Sequence, residues 1–279
     1  MLNQSVVLTN ISDTIEDISN AVTDIHDSGK SITLTTNDSI FIGTKLPFNN
    51  LYLKFDTNFN TNASNLSVSF WDGSRFYDFY KVVDGTSLSG ACLGQNGTIQ
   101  LIPTNEVGPN SYDSKYISEL KNVDGYYDYF WTRLNFSANL TQITLKYVGQ
   151  LFLESDIELT TFYPDLKNTN YMKIYDSLKT DWLEQRLIAT DEVINELVSR
   201  GYVSFGEQFL DWRLMKEVTI HKTASIIYRG LGPKLRDDAK EADSLFLKSL
   251  DSRKFGINKK ANALKDNCAF EDSKNGFYR

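Results

Sequence analysis

Through the first 150 positions, apolar and polar residues alternate in short runs, as in Asn50-Leu-Tyr-Leu-Lys-Phe-Asp56 and Thr141-Gln-Ile-Thr-Leu-Lys-Tyr-Val148. From about Pro164 onward the apolar residues recur every three or four positions, over 182–197 and again over 214–231. A period of two marks a strand with one buried face, and a period near 3.6 marks an amphipathic helix. The pattern predicts a β module followed by a helical module. The expected fold class is α+β: an antiparallel β-sandwich of jelly-roll type, then an α-helical bundle and an extended C-terminal arm.

Strands are predicted at 31–35, 40–43, 51–55, 66–71, 76–82, 98–102, 130–136 and 143–148. Asn49-Asn50, Asp72-Gly73, Asp84-Gly85, Asn96-Gly97 and Asp124-Gly125 punctuate them as turn signals. Many short strands with Gly, Asn and Asp between them read as a sandwich or jelly roll. Ahead of these, Ile11, Ile15, Ile18 and Val22 fall at helical spacing and predict a short helix starting near Ser12 or Asp13.

The first long helix is expected over 176–200, with Trp182, Leu183, Leu187, Val193, Ile194, Leu197 and Val198 as its apolar face and Gly201 as its stop. A second is expected over 206–229, closed by Gly230-Leu-Gly-Pro233, and a third from Pro233 to about Ser252. Three helices with short turns make a bundle. The resulting organisation is an N-terminal segment 1–30, a β-sandwich 31–150, a mixed connector 151–175, a helical bundle 176–252 and a basic arm 253–279.

At 279 residues each half can bury a core of its own, and 41% apolar with 13% aromatic content suits a folded protein. No run approaches the length of a membrane-spanning helix, and the N-terminus lacks the basic and apolar segments of a signal peptide. Cys92 and Cys268 have no CxxC partner, so two free thiols are expected. The net charge of -7 argues against general nucleic-acid binding. That charge divides as -6 over 1–150, -5 over 151–252 and +4 over 253–279. A basic tail on an acidic body suits docking onto an acidic neighbour, a second copy included; it equally suits a solvated terminus.

Candidate chemistry is sparse. His221 reads as a packed helix histidine and His26 as part of a polar loop, since no three or four ligands converge near it. The carboxylates Asp237, Asp238, Glu241 and Asp243, and Asp191, Glu192 and Glu196, have Lys or Arg nearby and read as solvated helix faces rather than an acid/base pair. No nucleophile elbow, Walker loop or dinucleotide fingerprint occurs. An enzyme is not expected, nor a cofactor or metal. The dense aromatics of 70–80 and 126–131 could stack on a sugar ring or fill a core.

Several strings carry a resemblance. Lys45-Leu-Pro-Phe-Asn-Asn-Leu-Tyr-Leu-Lys-Phe55, Leu66-Ser-Val-Ser-Phe-Trp-Asp-Gly-Ser74, Val83-Asp-Gly-Thr86, Gly97-Thr-Ile-Gln-Leu-Ile-Pro103 and Tyr129-Phe-Trp-Thr-Arg-Leu134 together resemble a galactose-binding-like jelly-roll module found in virion proteins of tailed bacteriophages. The helical half, with Val218-Thr-Ile-His-Lys-Thr-Ala-Ser-Ile-Ile-Tyr228 and a polar C-terminal arm, is similar to the head-to-tail adaptor (head-completion, connector) family of those phages.

The resemblance implies a structural virion protein made in the host cytoplasm, forming a homo-oligomeric ring, expected as a dodecamer, between portal protein and tail or fibre proteins. It implies no membrane partner and no sequence-specific nucleic-acid binding. The arm would reach the portal or a neighbouring copy through Arg253, Lys254, Lys259, Lys260, Lys265, Phe270, Phe277 and Tyr278. A heterologous ring contact needs two different complementary patches on one chain, which the uneven charge could supply. The alternative is a carbohydrate-binding tail or surface protein that recognises a receptor through the jelly roll, with Tyr126 or Tyr127 in the site.

Overall fold

The computed structural model describes residues 5–44, 50–71, 75–79, 81–102, 120–123, 125–153, 155–200 and 215–252. Two antiparallel sheets occupy the N-terminal half and helices the C-terminal half, an α+β architecture. The strands are β1 (Val6–Ile11), β2 (Thr14–Asp17), β3 (Lys30–Ile32), β4 (Ser39–Thr44), β5 (Asn50–Phe55) and β6 (Leu66–Trp71). They continue with β7 (Phe76–Asp78), β8 (Lys81–Asp84), β9 (Gly97–Ile102), β10 (Leu120–Val123), β11 (Tyr126–Phe136) and β12 (Ile143–Gly149). One sheet runs β2-β1-β4-β11-β6-β7, with β10 also on β11, and the other runs β3-β12-β5-β9-β8.

The alternation places one row of each strand between the sheets. Val7, Ile40, Ile42, Val68, Leu134 and Phe136 from the first sheet meet Leu51, Leu53, Phe55, Ile99, Leu101, Ile143 and Leu145 from the second in one buried cluster. The first sheet is also covered on its outer face, where Val6, Leu8, Phe41, Tyr129 and Trp131 form a second cluster. All six residues of β4 are therefore buried, beyond what a one-faced strand requires. Gly43 pairs with Trp131 in the register, and a Cβ there would stand 2.8 Å from Trp131 Cζ3. The missing side chain is what seats a fully buried indole.

The helix expected over 10–22 is corrected to a hairpin. Val6–Ile11 pairs with β4, so the β-branched run is claimed by the sheet, and Ser12 and Asp13 adopt φ of 51° and 60° to turn into β2. Asp38 fixes that turn by accepting from the Ser12 N–H at 2.9 Å and the Thr35 N–H at 2.7 Å. Only α1 (Ser19–Val22) remains helical. The single strand expected over 76–82 is likewise two strands, β7 in the first sheet and β8 in the second.

The segment expected as a mixed connector contains α2 (Asp156–Phe162), a 3-10 turn (Pro164–Lys167) and α3 (Thr169–Tyr175). Ser155 caps α2 by accepting from Ile157 N at 3.0 Å, and Asn168 caps α3 from Asn170 N at 3.0 Å. The first long helix, α4 (Leu183–Ser199), begins seven residues later than the 176 expected. The extended Asp176 terminates α3, and Asp181 Oδ1 accepts from Leu183 N at 3.0 Å to open α4. Then come α5 (Met215–Gly230), a 3-10 turn (Pro233–Leu235) at Gly232 (φ 104°), and α6 (Arg236–Ser252). The expected Gly201 stop and the expected start of the second helix at 206 lie outside the described residues.

Candidate functional site

The helices pack around α5, which is buried along most of its length. Its apolar residues divide between two clusters: Met215 and Val218 meet Val193, Ile194, Leu197, Phe246 and Leu250, while Ile220, Ala224, Ile227 and Tyr228 meet Trp182, Leu166, Ala239 and Ala242. Several polar groups on the same helix are tied off. Lys222 lies 2.7 Å from Glu192 on α4 and 3.6 Å from Asp243 on α6, above the Phe246 ring. Asp243 also accepts from Ser225 Oγ at 3.1 Å and from Arg229 Nη2 at 2.6 Å. Tyr228 donates to Asp165, and His221 Nδ1 is hydrogen-bonded to Tyr163 OH at 2.8 Å. Burial, reinforced by the carboxylates of Glu241 and Asp165, pushes the Tyr163 hydroxyl up to about 12.

The β half and the helices join through Asn50 and Leu151. Leu151, Leu183 and Leu187 pack on Tyr52 and Tyr147, with Ile25 at the edge. Burial, partly offset by the Arg186 guanidinium, raises the Tyr52 hydroxyl to about 12. Arg186 itself is buried: Nη1 donates to the Leu153 carbonyl at 2.8 Å and Nε stands 2.9 Å from Asp156 Oδ1. An open groove of about 750 Å³ runs beside this junction, past His26, Lys54, Leu178, Lys179, Glu184 and Ile188.

A second concavity, about 560 Å³, sits where α5 turns into α6. Gly232, Pro233 and Ala239 form its small apolar floor, and Arg229, Arg236 and Lys240 stand around it with Asp243. Asp243 faces Lys222 and Ser225 inward and Arg229 sideways, so it both orients and partly neutralises the Arg229 guanidinium. Arg236 and Lys240 are one helical turn apart on α6.

All eight arm residues singled out from sequence, Arg253, Lys254, Lys259, Lys260, Lys265, Phe270, Phe277 and Tyr278, lie outside the described residues, as does Cys268. His26 is exposed, 3.3 Å from Glu184, and His221 is buried. Cys92 is buried beside Ser64 Oγ at 3.1 Å, and burial raises its thiol. The acidic clusters are engaged with cations: Glu192 with Lys222, Glu196 with Arg200, Asp237 with Lys240 and Asp243 with Arg229. Among the described residues, no three His, Cys, Asp or Glu side chains are grouped to hold a metal ion, and no helix is long and apolar enough to cross a membrane.

Of the dense aromatics, Phe70, Tyr129, Phe130 and Trp131 are buried. Phe76 lies under the Arg133 guanidinium at 4.7 Å, and Tyr126 hydrogen-bonds Asp17. The sequence reading missed the α5–α6 cleft. Its signal was present in the spacing of Arg236 and Lys240 after a Gly-Leu-Gly-Pro turn that brings Arg229 alongside, a juxtaposition no local period announces. No protein-family model matches this chain, and no curated protein is significantly similar to it.

Proposed function

We propose that this protein is a structural virion component, a head-to-tail adaptor whose copies form a ring between a portal and a tail. In this reading the paired sheets are a jelly-roll module facing outward, and the helices form the bundle through which copies pack. The arm over 253–279 reaches the portal or an adjacent copy.

The observation that supports it most is where apolar surface remains uncovered. Nine large apolar side chains are exposed among the described residues, and seven of them (Ile157, Phe162, Ile174, Leu178, Ile188, Leu245 and Leu247) lie in the helical half. Leu178 is 84% and Ile157 76% exposed. Single exposed apolar residues are ordinary; their concentration in one half is what supports reading that half as the assembly surface. Phe70, Tyr129, Phe130 and Trp131 are buried and offer no face to a sugar, so the carbohydrate-binding alternative draws less support.

Electron micrographs and native mass measurement of the purified chain test this. Closed rings of a fixed copy number, expected near twelve, that bind portal assemblies are the expected result. A chain that stays monomeric at all concentrations, alone and with portal, sinks the adaptor reading.

A further inference from the structure

The groove beside the junction of the two halves is lined by an unpaired polar group. Gln185, in the first turn of α4, is only 3% exposed, yet its Oε1 meets no hydrogen-bond donor. A buried carboxamide is costly to leave unmatched, and the start of α4 does not need it, since Asp181 already accepts from Leu183 N. Carboxamides carry an acceptor and donors side by side, the complement of a peptide's N–H and C=O. Leu178, 84% exposed, and Ile188, 41% exposed, line the same groove and suit the apolar side chains of such a peptide.

The charge around the groove is not fully matched. Asp176 and Asp181 line it, and Asp24 and Asp27 bracket its lining residues Ile25 and His26 in sequence. Each of the four accepts a backbone N–H, but none stands in an ion pair among the described residues. Lys179 and His26 are both engaged by Glu184, which leaves Lys54 as the lining cation outside any ion pair among the described residues. Four carboxylates against one lysine favour a basic occupant.

The chain carries such a segment beyond α6. Residues 253–279 have a net charge of +4 and include Phe255, Ile257, Leu264, Phe270, Phe277 and Tyr278. Helix α6 ends beside the C-terminal end of α4, where Arg200 meets Asp251. The groove lies at the other end of that helix, roughly 25 Å away at 1.5 Å per residue. Following Ser252, 27 residues remain, enough for about 90 Å of extended chain.

We infer that this groove receives the segment 253–279 of an adjacent copy. Gln185 pairs with its main chain, Leu178 and Ile188 cover its apolar side chains, and the unmatched carboxylates face its cations. Groove and segment are different patches of one chain, as a head-to-tail contact between copies requires. This rests on the adaptor reading, in which the arm reaches an adjacent copy, and names where it docks.

Carbodiimide cross-linking of the full chain, which joins a lysine amine to a carboxylate in contact with it, tests the docking. Multimer bands on a denaturing gel are expected to contain peptides joining Lys259, Lys260 or Lys265 to Asp176 or Asp181, and the monomer band to lack them. The Lys216–Glu158 pair, at 2.8 Å, serves as the internal standard. Gln185→Leu removes no hydrogen bond that Oε1 makes within the chain, so its melting temperature should hold while the link falls roughly tenfold against that standard. Leu178→Ser, at an exposed position, should fold as the parent does and weaken the same link. Multimer bands without the link, the link in the monomer band, or a yield that neither substitution moves overturns the inference and leaves the ring reading standing. A parent that gives only monomer, on the gel and by native mass, overturns both.

Discussion

The Asn50 carboxamide closes both backbone groups of Leu151: Nδ2 donates to the Leu151 carbonyl at 2.6 Å, and Oδ1 accepts the Leu151 N–H at 3.3 Å. Asn50 opens β5, and Leu151 is the first apolar residue after β12, 101 positions away. Both are buried, at 1% and 0% exposure. A single amide thus satisfies the chain where it leaves the sheets for the helices.

Replacing Asn50 with Leu is expected to lower stability by about 2–4 kcal/mol, because a buried donor and a buried acceptor each lose their partner. The measurement is a denaturant titration followed separately by tryptophan fluorescence, to which buried Trp131 of the sheets and Trp182 of the helices both contribute, and by helical circular dichroism. Separation of the two transitions in the variant would show that the carboxamide couples the halves. A superimposable single transition at the parental midpoint would refute this.

Gly43→Ala places a methyl 2.8 Å from Trp131 Cζ3 and 2.9 Å from Cη2, inside contact distance of a ring that has no exposed face. Overpacking of this kind costs about 1–3 kcal/mol. Combining it with Trp131→Phe should recover part of the loss relative to Trp131→Phe alone, read as a non-additive double-mutant cycle. Strict additivity would place the strain elsewhere.

Alkaline titration should weaken the helical half. Tyr175 donates to the Ile226 and Ile227 carbonyls at 3.0 and 2.8 Å, and burial pushes its hydroxyl up to about 12 from an ordinary value near 10. A group raised in the folded state contributes stability that is complete below the unfolded value. That contribution drains away as pH rises from about 10 to about 12. Tyr163, also raised to about 12, acts in the same window. Thermal melts across this range should fall steeply for the parent and less steeply for Tyr175→Phe, which starts about 1 kcal/mol lower from the lost hydrogen bonds. An equal slope for both would exclude Tyr175 from the alkaline response.

The two periods in the chain told the two halves apart, because alternation and a 3.6 repeat are local consequences of burying one face of a strand or a helix. Most strands and the last helix stood where the pattern put them. The first hairpin did not: Ile11, Ile15, Ile18 and Val22 have helical spacing, yet Val6–Ile11 finds a partner in β4, and pairing outweighs local propensity. The same limit hid the short helices over 156–175. Their caps at Ser155 and Asn168 are legible, but seven-residue helices are too short for a period to register.

Of the candidate site, residue types were visible and their convergence was not. Sequence alone determined the α+β class, the acidic body with its basic end, and the absence of a recognisable local catalytic motif. Only the tertiary structure brought Arg229 beside Arg236 and Lys240, aimed it with Asp243, buried Phe70, Tyr129, Phe130 and Trp131 on the two faces of the first sheet, and joined Asn50 to Leu151. Local periodicity reports which face of an element is buried. Which distant elements meet, and with what charge between them, is set by long-range packing that no short window of sequence contains.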